Sequence, residues 1–162
     1  MRISFVCLGN ICRSPTAEAV MRHLVAEAGL TDAITVESAG TGSWHVGHPP
    51  DARSCEEATR RGIEMAGTAR QFDASDFARL DLILAMDQQN ATELVARAPD
   101  AGARAKVRLL REFDPALRPG ADHAVPDPYY GGPEGFTDVF DMVERACRGL
   151  LDEYRAGRLA GA

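Results

Sequence analysis

No stretch of this 162-residue sequence approaches the roughly 20 consecutive apolar residues that a bilayer-spanning helix needs, so no membrane association is expected. Basic residues are in the minority. The 18 Lys and Arg against 24 Asp and Glu give a formal net charge of −6, without the basic excess that nucleic acid or an anionic membrane usually selects. Any anion site must therefore be local. The four cysteines, Cys7, Cys12, Cys55 and Cys147, are too few for a disulfide scaffold in a chain of this length, which agrees with a reducing compartment. The opening MRISFV is too short and too quickly interrupted for the apolar region of a signal peptide, so cytoplasm is the expected location. His23, His45, His48 and His123 show no metal-ligand spacing, and no metal site is expected. The GxxxxGK[ST] pattern of nucleotide-binding loops is missing too.

What is present is an alternation of short apolar runs with helix-length amphipathic segments. That alternation predicts an α/β domain over residues 1–162, a parallel sheet flanked by helices, in a chain long enough to bury about 70% of its unfolded surface. Strands are expected at Ile3–Val6, Ile34–Glu37, Leu80–Met86 and Val107–Leu110, the third buried on both faces. Helices are expected from the three- and four-residue spacing of Ala17, Val20, Met21, Leu24, Val25 and Ala28, then over Asp51–Arg61, Asp87–Ala98 and Glu134–Arg155. Two Gly- and Pro-rich stretches, 38–50 and 118–135, read as surface loops and as candidate walls of a site.

In open parallel sheets the ligand crevice lies beyond the carboxyl ends of the strands, which is where Cys7 to Ser14 falls. Backbone N–H groups of a tight turn and of a first helical turn make an oxyanion socket there. Arg13 adds a planar fork that grips two phosphate oxygens in parallel, which a lysine cannot do. Cys7, at the strand end, puts its sulfur into that positive field, where thiolate is favoured and becomes a nucleophile beneath a phosphorus. Ser14 is placed to donate its hydroxyl to the sulfur, and Pro15 suits the first helical turn. Taken singly, a strand-end cysteine is usually a small buried hydrophobe. The joint spacing Cys-x5-Arg-Ser, after a strand and opening a helix, is what points to an oxyanion site.

Residues Cys7-Leu8-Gly9-Asn10-Ile11-Cys12-Arg13-Ser14-Pro15 resemble the signature of the low-molecular-weight protein tyrosine phosphatases. The likeness extends in matching order through Ala17-Glu18-Ala19, Ser38-Ala39-Gly40, the Trp44 loop, Gly47 with Pro49-Pro50, Ala69-Arg70-Gln71, Met86-Asp87 and Asp127-Pro128-Tyr129-Tyr130. It implies a small flavodoxin-like fold, four parallel strands with helices on both faces, and no cofactor. It also implies that Cys7 attacks the phosphorus of a phosphotyrosine monoester, that Arg13 and the loop N–H groups hold the equatorial oxygens, and that Asp127 serves as general acid and then base. Read without the resemblance, Asp127 is equally an Asp-Pro turn residue. Asn10 and Ser38 are expected to brace the phosphate loop, and Leu8 and Ile11 to line the pocket mouth. One departure stands out: a histidine that often supports this loop in the family is replaced by Gly67.

Trp44, His45, Tyr129 and Tyr130 are expected around the pocket, with pinning of its own loop as the alternative role for Trp44; the resemblance also implies phosphorylation as a further role for Tyr129 and Tyr130, with packing as the alternative to it. Cys12 is either a disulfide partner that protects Cys7 from over-oxidation or a buried filler. Cys55 and Cys147 read as core. The expected partners are tyrosine-phosphorylated proteins and a cognate kinase, with no nucleic acid or membrane, and the chain is expected to be a monomer. Three other readings are weaker. An arsenate reductase would need two further cysteines near residues 75–90, where ARLDLILAMDQQN has none. A cysteine phosphoryl carrier has little use for Arg13 or Asp127, and a silent phosphate-binding module would bind without turnover.

Overall fold

The computed structural model describes residues 1–159, and its sheet follows from the two-residue period of its strands. In β1 (Arg2–Cys7), Ile3, Phe5 and Cys7 enter one apolar cluster, while Val6 points to the other side of the sheet. In β3 (Leu82–Ala85), Leu82 and Leu84 join the first cluster, Ile83 and Ala85 the second. Strands buried on both faces need helices on both faces. β2 (Thr35–Gly40) and β4 (Val107–Leu109) complete a sheet in the order β2-β1-β3-β4, every pairing parallel.

The first face is covered by α1 (Arg13–Glu27), α2 (Ala52–Arg60) and α6 (Pro133–Arg155), the second by α3 (Asp76–Arg79), α4 (Gln88–Arg97) and α5 (Ala101–Ala105). Phe5 and Phe140, almost wholly buried, anchor the larger cluster, and truncating either to alanine costs about 3–5 kcal/mol. Cys147 is core, as its place on the apolar stripe of α6 predicts. Cys55 is only half-buried, on α2, so its assignment to the core does not hold.

The expected strands and long helices are all present with shifted ends. β3 is shorter than the apolar run suggests: Leu80 caps α3, and Met86, buried in the larger cluster, follows the strand with its N–H donating to Val6 O at 3.0 Å. β2 is longer, running through Ser38 and Ala39 to Gly40, because Gly40 pairs with Cys7. The segment 38–40 is thus strand, not the start of a loop. The residues around Gln71 extend the pairing beyond β2, with Gly40 N–H donating to Arg70 O and Phe72 N–H to Gly40 O, each at 2.8 Å. α3, α5 and a 3-10 turn at Leu110–Phe113 are too short for periodicity to reveal.

Successive connections leave β1 toward β2 on one side and then cross to β3 on the other. This reversal opens a crevice at the carboxyl end of β1. Into it run the loop from Cys7 to Arg13, the turn after β3, and residues 125–132, where Val125 N–H donates to Met86 O at 2.7 Å. Among the described residues no helix is long and apolar enough to cross a membrane.

Candidate active site

Cys7 ends β1 and Arg13 begins α1, so five residues must turn the chain around the sulfur. The turn is made at Asn10, whose φ of 55° is left-handed, a conformation that asparagine tolerates better than most side chains. Curling the loop there brings Asn10 N–H to within 3.3 Å of Cys7 Sγ, and the Ser14 hydroxyl lies 3.0 Å from the same sulfur. Asn10 is also the brace. Its Nδ2 donates to Ser14 Oγ and to Ser38 Oγ, both at 2.9 Å, and its Oδ1 accepts from Arg70 N–H at 2.9 Å. Because Asn10 already donates to Ser14 Oγ, the serine's own proton is free for the sulfur or for Ala39 O at 3.3 Å.

Gly67 has a φ of +99° and open space around its Cβ position, so nothing there replaces a supporting histidine. The structure meets the need otherwise. Arg70 supplies a main-chain donor to Asn10, while the Ser38 hydroxyl donates to Glu18 Oε2 at 2.5 Å, and Glu18 is in turn held by Arg22. Glu18 carries no expected role in the sequence. It is found only because α1 and β2 pack side by side.

Arg13 is buried, and its Nη1 donates to Asp87 Oδ2 at 2.6 Å and to Val125 O at 3.2 Å. Burial works against its charge, but the Cys7 sulfur, Asp87 and Asp127 outweigh that cost and hold the guanidinium protonated more firmly than usual. Asp87 is itself fixed as the N-cap of α4, its Oδ1 accepting from Asn90 N–H at 2.8 Å. Sequence reasoning gave Asp87 no role. Its signal was available, an acidic residue at the carboxyl end of a buried strand opening a helix.

Asp127 reaches the same place from the far loop. Its Oδ2 lies 3.6 Å from Arg13 Nη2, and its Oδ1 accepts from Tyr129 N–H at 3.1 Å. Its side chain is 47% exposed, far more than that of Arg13. Cys12 faces a less favourable setting. Burial first, then the charges of Asp51 and Cys7, push its thiol up to about 12, so the site's second sulfur stays protonated.

Together these residues shape a cavity of about 290 Å³ with Cys7, Cys12 and Arg13 in its wall and Leu8, Gly9, Ile11 and Asp127 around them. Trp44, His45, Tyr129 and Tyr130 also line it. Cys7 is buried, while Trp44 and Tyr130 are 71% and 94% exposed, so the cavity is a slot with sulfur deep and aromatic rings at the mouth. Two glycines make room for the walls. A Cβ on Gly9 would stand 2.9 Å from the His45 ring, and one on Gly42 would stand 1.9 Å from the indole of Trp44. Trp44 thus packs on its own loop and lines the slot at once. Asn10, Ser14 and Ser38 do not line it and act from behind the loop.

The family model described as low molecular weight phosphotyrosine protein phosphatase matches residues 2–158. A low molecular weight protein-tyrosine-phosphatase of Streptomyces coelicolor is 49% identical over 154 residues, covering 95% of this chain and 93% of the relative. Among solved structures, a protein tyrosine phosphatase from Entamoeba histolytica with Hepes in its active site superposes with a TM-score of 0.93 at 40% identity, covering 98% of this chain and 99% of that one. A Drosophila arginine phosphatase superposes with a TM-score of 0.87 at 35% identity, covering 96% and 98%.

Proposed function

The chain belongs to the low molecular weight phosphotyrosine protein phosphatase family, and from that premise we propose that its slot hydrolyses phosphotyrosine in proteins with Cys7 as nucleophile, Arg13 as phosphate clamp and Asp127 as acid and base. The observation that carries this reading is the convergence on one sulfur of the Asn10 N–H and the Ser14 hydroxyl, with the Arg13 guanidinium in the same cavity wall. Two donors aimed at Sγ orient it for attack, and the same two donors stabilise the charge it carries when it departs.

In the first step Cys7 Sγ attacks phosphorus in line, the S–P bond forms and the P–O bond to the phenol breaks. Asp127, protonated, gives its proton to the departing oxygen. Arg13 has spent Nη1 on Asp87 and Val125, so the edge formed by Nε and Nη2 is the fork for two phosphoryl oxygens. In the second step the Asp127 carboxylate takes a proton from water, the water oxygen bonds to phosphorus and Cys7 leaves as thiolate. Catalysis here is mainly positioning and electrostatics.

A sulfur at the floor and rings at the mouth favour a substrate whose phosphate stands off on a flat aromatic spacer. Phosphoserine is too short to bring phosphorus to the sulfur with its backbone outside. We assign the protein to the cytoplasm as a monomer acting on the products of a tyrosine kinase.

Matched peptides bearing phosphotyrosine, phosphoserine, phosphothreonine or phosphoarginine, assayed with EDTA present, test the reading. The expected result is turnover of phosphotyrosine alone, falling at least about 10⁴-fold in Cys7→Ser while phosphate binding persists. Turnover of phosphoarginine alone would transfer the substrate to that class, and phosphate binding without turnover of any peptide would identify a binding module.

A further inference from the structure

Arg53 lies outside the machinery described so far, yet it touches the Asp127 loop. Asp51, the N-cap of α2, takes this guanidinium on both carboxylate oxygens, Nε to Oδ1 at 3.0 Å and Nη2 to Oδ2 at 2.8 Å. The pair is tight enough to hold the Asp51 carboxyl below its ordinary range, chiefly through Arg53. The third edge, Nη1, donates to Tyr129 O at 3.0 Å. The plane of the guanidinium is flanked by the Tyr129 ring at 5.4 Å and by Phe136, in the first turn of α6, at 4.6 Å. Asp51 is anchored at its other end, because its N–H donates to Ile11 O in the phosphate loop at 2.8 Å.

These contacts form a continuous path from the phosphate loop to the loop of Asp127. Only the Asp127 Oδ1 contact with Tyr129 N–H and the rigid ring of Pro128 intervene between the last anchor and the carboxylate. We infer that Arg53, oriented by Asp51, is a positioning residue that sets Asp127 at its working distance from the Cys7 pocket. The inference rests on the phosphatase reading and extends it. Without Arg53 the loop keeps its upstream ties at Val125, whose N–H donates to Met86 O and whose O accepts from Arg13, but loses its tie at Tyr129. The carboxylate then samples more positions. Proton transfer, which needs hydrogen-bond reach, suffers before phosphate binding does.

The test compares Arg53→Ala, Arg53→Lys, Asp127→Ala and the Arg53→Ala/Asp127→Ala double variant on phenyl phosphate and on 4-nitrophenyl phosphate. Only the phenyl ester has a leaving group that needs the proton. For Arg53→Ala the expected result is a loss of about tenfold in kcat/KM, which reports the first phosphoryl transfer, on phenyl phosphate with little change on the nitrophenyl ester, and no further loss when Asp127 is already alanine. The pH profile of Cys7 alkylation by iodoacetate should be unmoved, which a general loosening of the site would not allow. Arg53→Lys should remain slow, since an ammonium cannot serve two carboxylate oxygens and a carbonyl in one plane. Full recovery with lysine, equal losses on both esters, or additive losses in the double variant would overturn the inference while leaving the phosphatase reading intact. An Asp127→Ala protein that keeps its full phenyl phosphate rate would overturn the acid assignment and this inference with it.

Discussion

The two loops that meet in the slot are built in opposite ways. The loop of residues 7–14 is buried at Cys7, Asn10, Cys12, Arg13 and Ser14 and held by side chains aimed at one another, with Asn10 alone joining Ser14, Ser38 and Arg70. Residues 125–132 are largely exposed and held mostly through their backbone, at Val125 N–H and O and at Tyr129 O. The difference suits the two tasks. An oxyanion socket works by not reorganising as charge develops, whereas a loop that must admit and release a peptide needs to be held at few points.

Substitutions can break this contrast at either loop, and the largest effect is expected at Arg13. Arg13→Lys removes the fork and its ties to Asp87 and Val125 together, so kcat/KM should fall at least about 10²-fold for every aryl phosphate whatever its leaving group. A loss confined to poor leaving groups would show that Arg13 serves the acid loop more than the phosphate. Asp127→Ala is the converse, a loss of about 10²-fold in kcat/KM on phenyl phosphate with a much smaller one on 4-nitrophenyl phosphate, read by steady-state kinetics.

Asn10→Ala should cost about 2–3 kcal/mol in urea unfolding, because it leaves buried partners unpaired and keeps a side chain in left-handed backbone. Asn10→Gly relieves only the backbone, so if it matches wild type the brace matters less than the turn. The smallest effect is a null one, at Cys12. A thiol pushed up to about 12 is protonated at neutral pH, and its reactivity rises only as pH climbs toward that value. Iodoacetate at pH 7 should therefore label Cys7 and spare Cys12, with mass spectrometry of the digest as the readout.

Much of this was legible in the sequence because it is local. The strand of Ile3–Val6, the helix from the apolar residues after Ala17, and the Cys7-to-Ser14 loop between them each follow from a few neighbouring side chains. Asp127 was legible only through resemblance, since an Asp-Pro pair in a Gly-rich stretch is equally a turn. Asp87, Glu18 and Arg53 were not assigned. Each acts across a contact that spans many residues of chain, as in Arg13 to Asp87 or Arg53 to Tyr129, and neither periodicity nor spacing encodes such a pair.

By itself the sequence determined the alternation of strands and helices, and with it a thiol, a guanidinium and helix N–H groups at one strand end, because these depend on periodicity and on residues six apart. Only the tertiary structure decided how the loop is braced without a histidine at 67, which edge of Arg13 stays open, and which contacts tie the 125–132 loop to Arg13 and Arg53. Those are meetings of β2, the turn after β3, α2 and the 125–132 loop at the end of β1, and the parallel sheet brings them together by placing all its strand ends on one side.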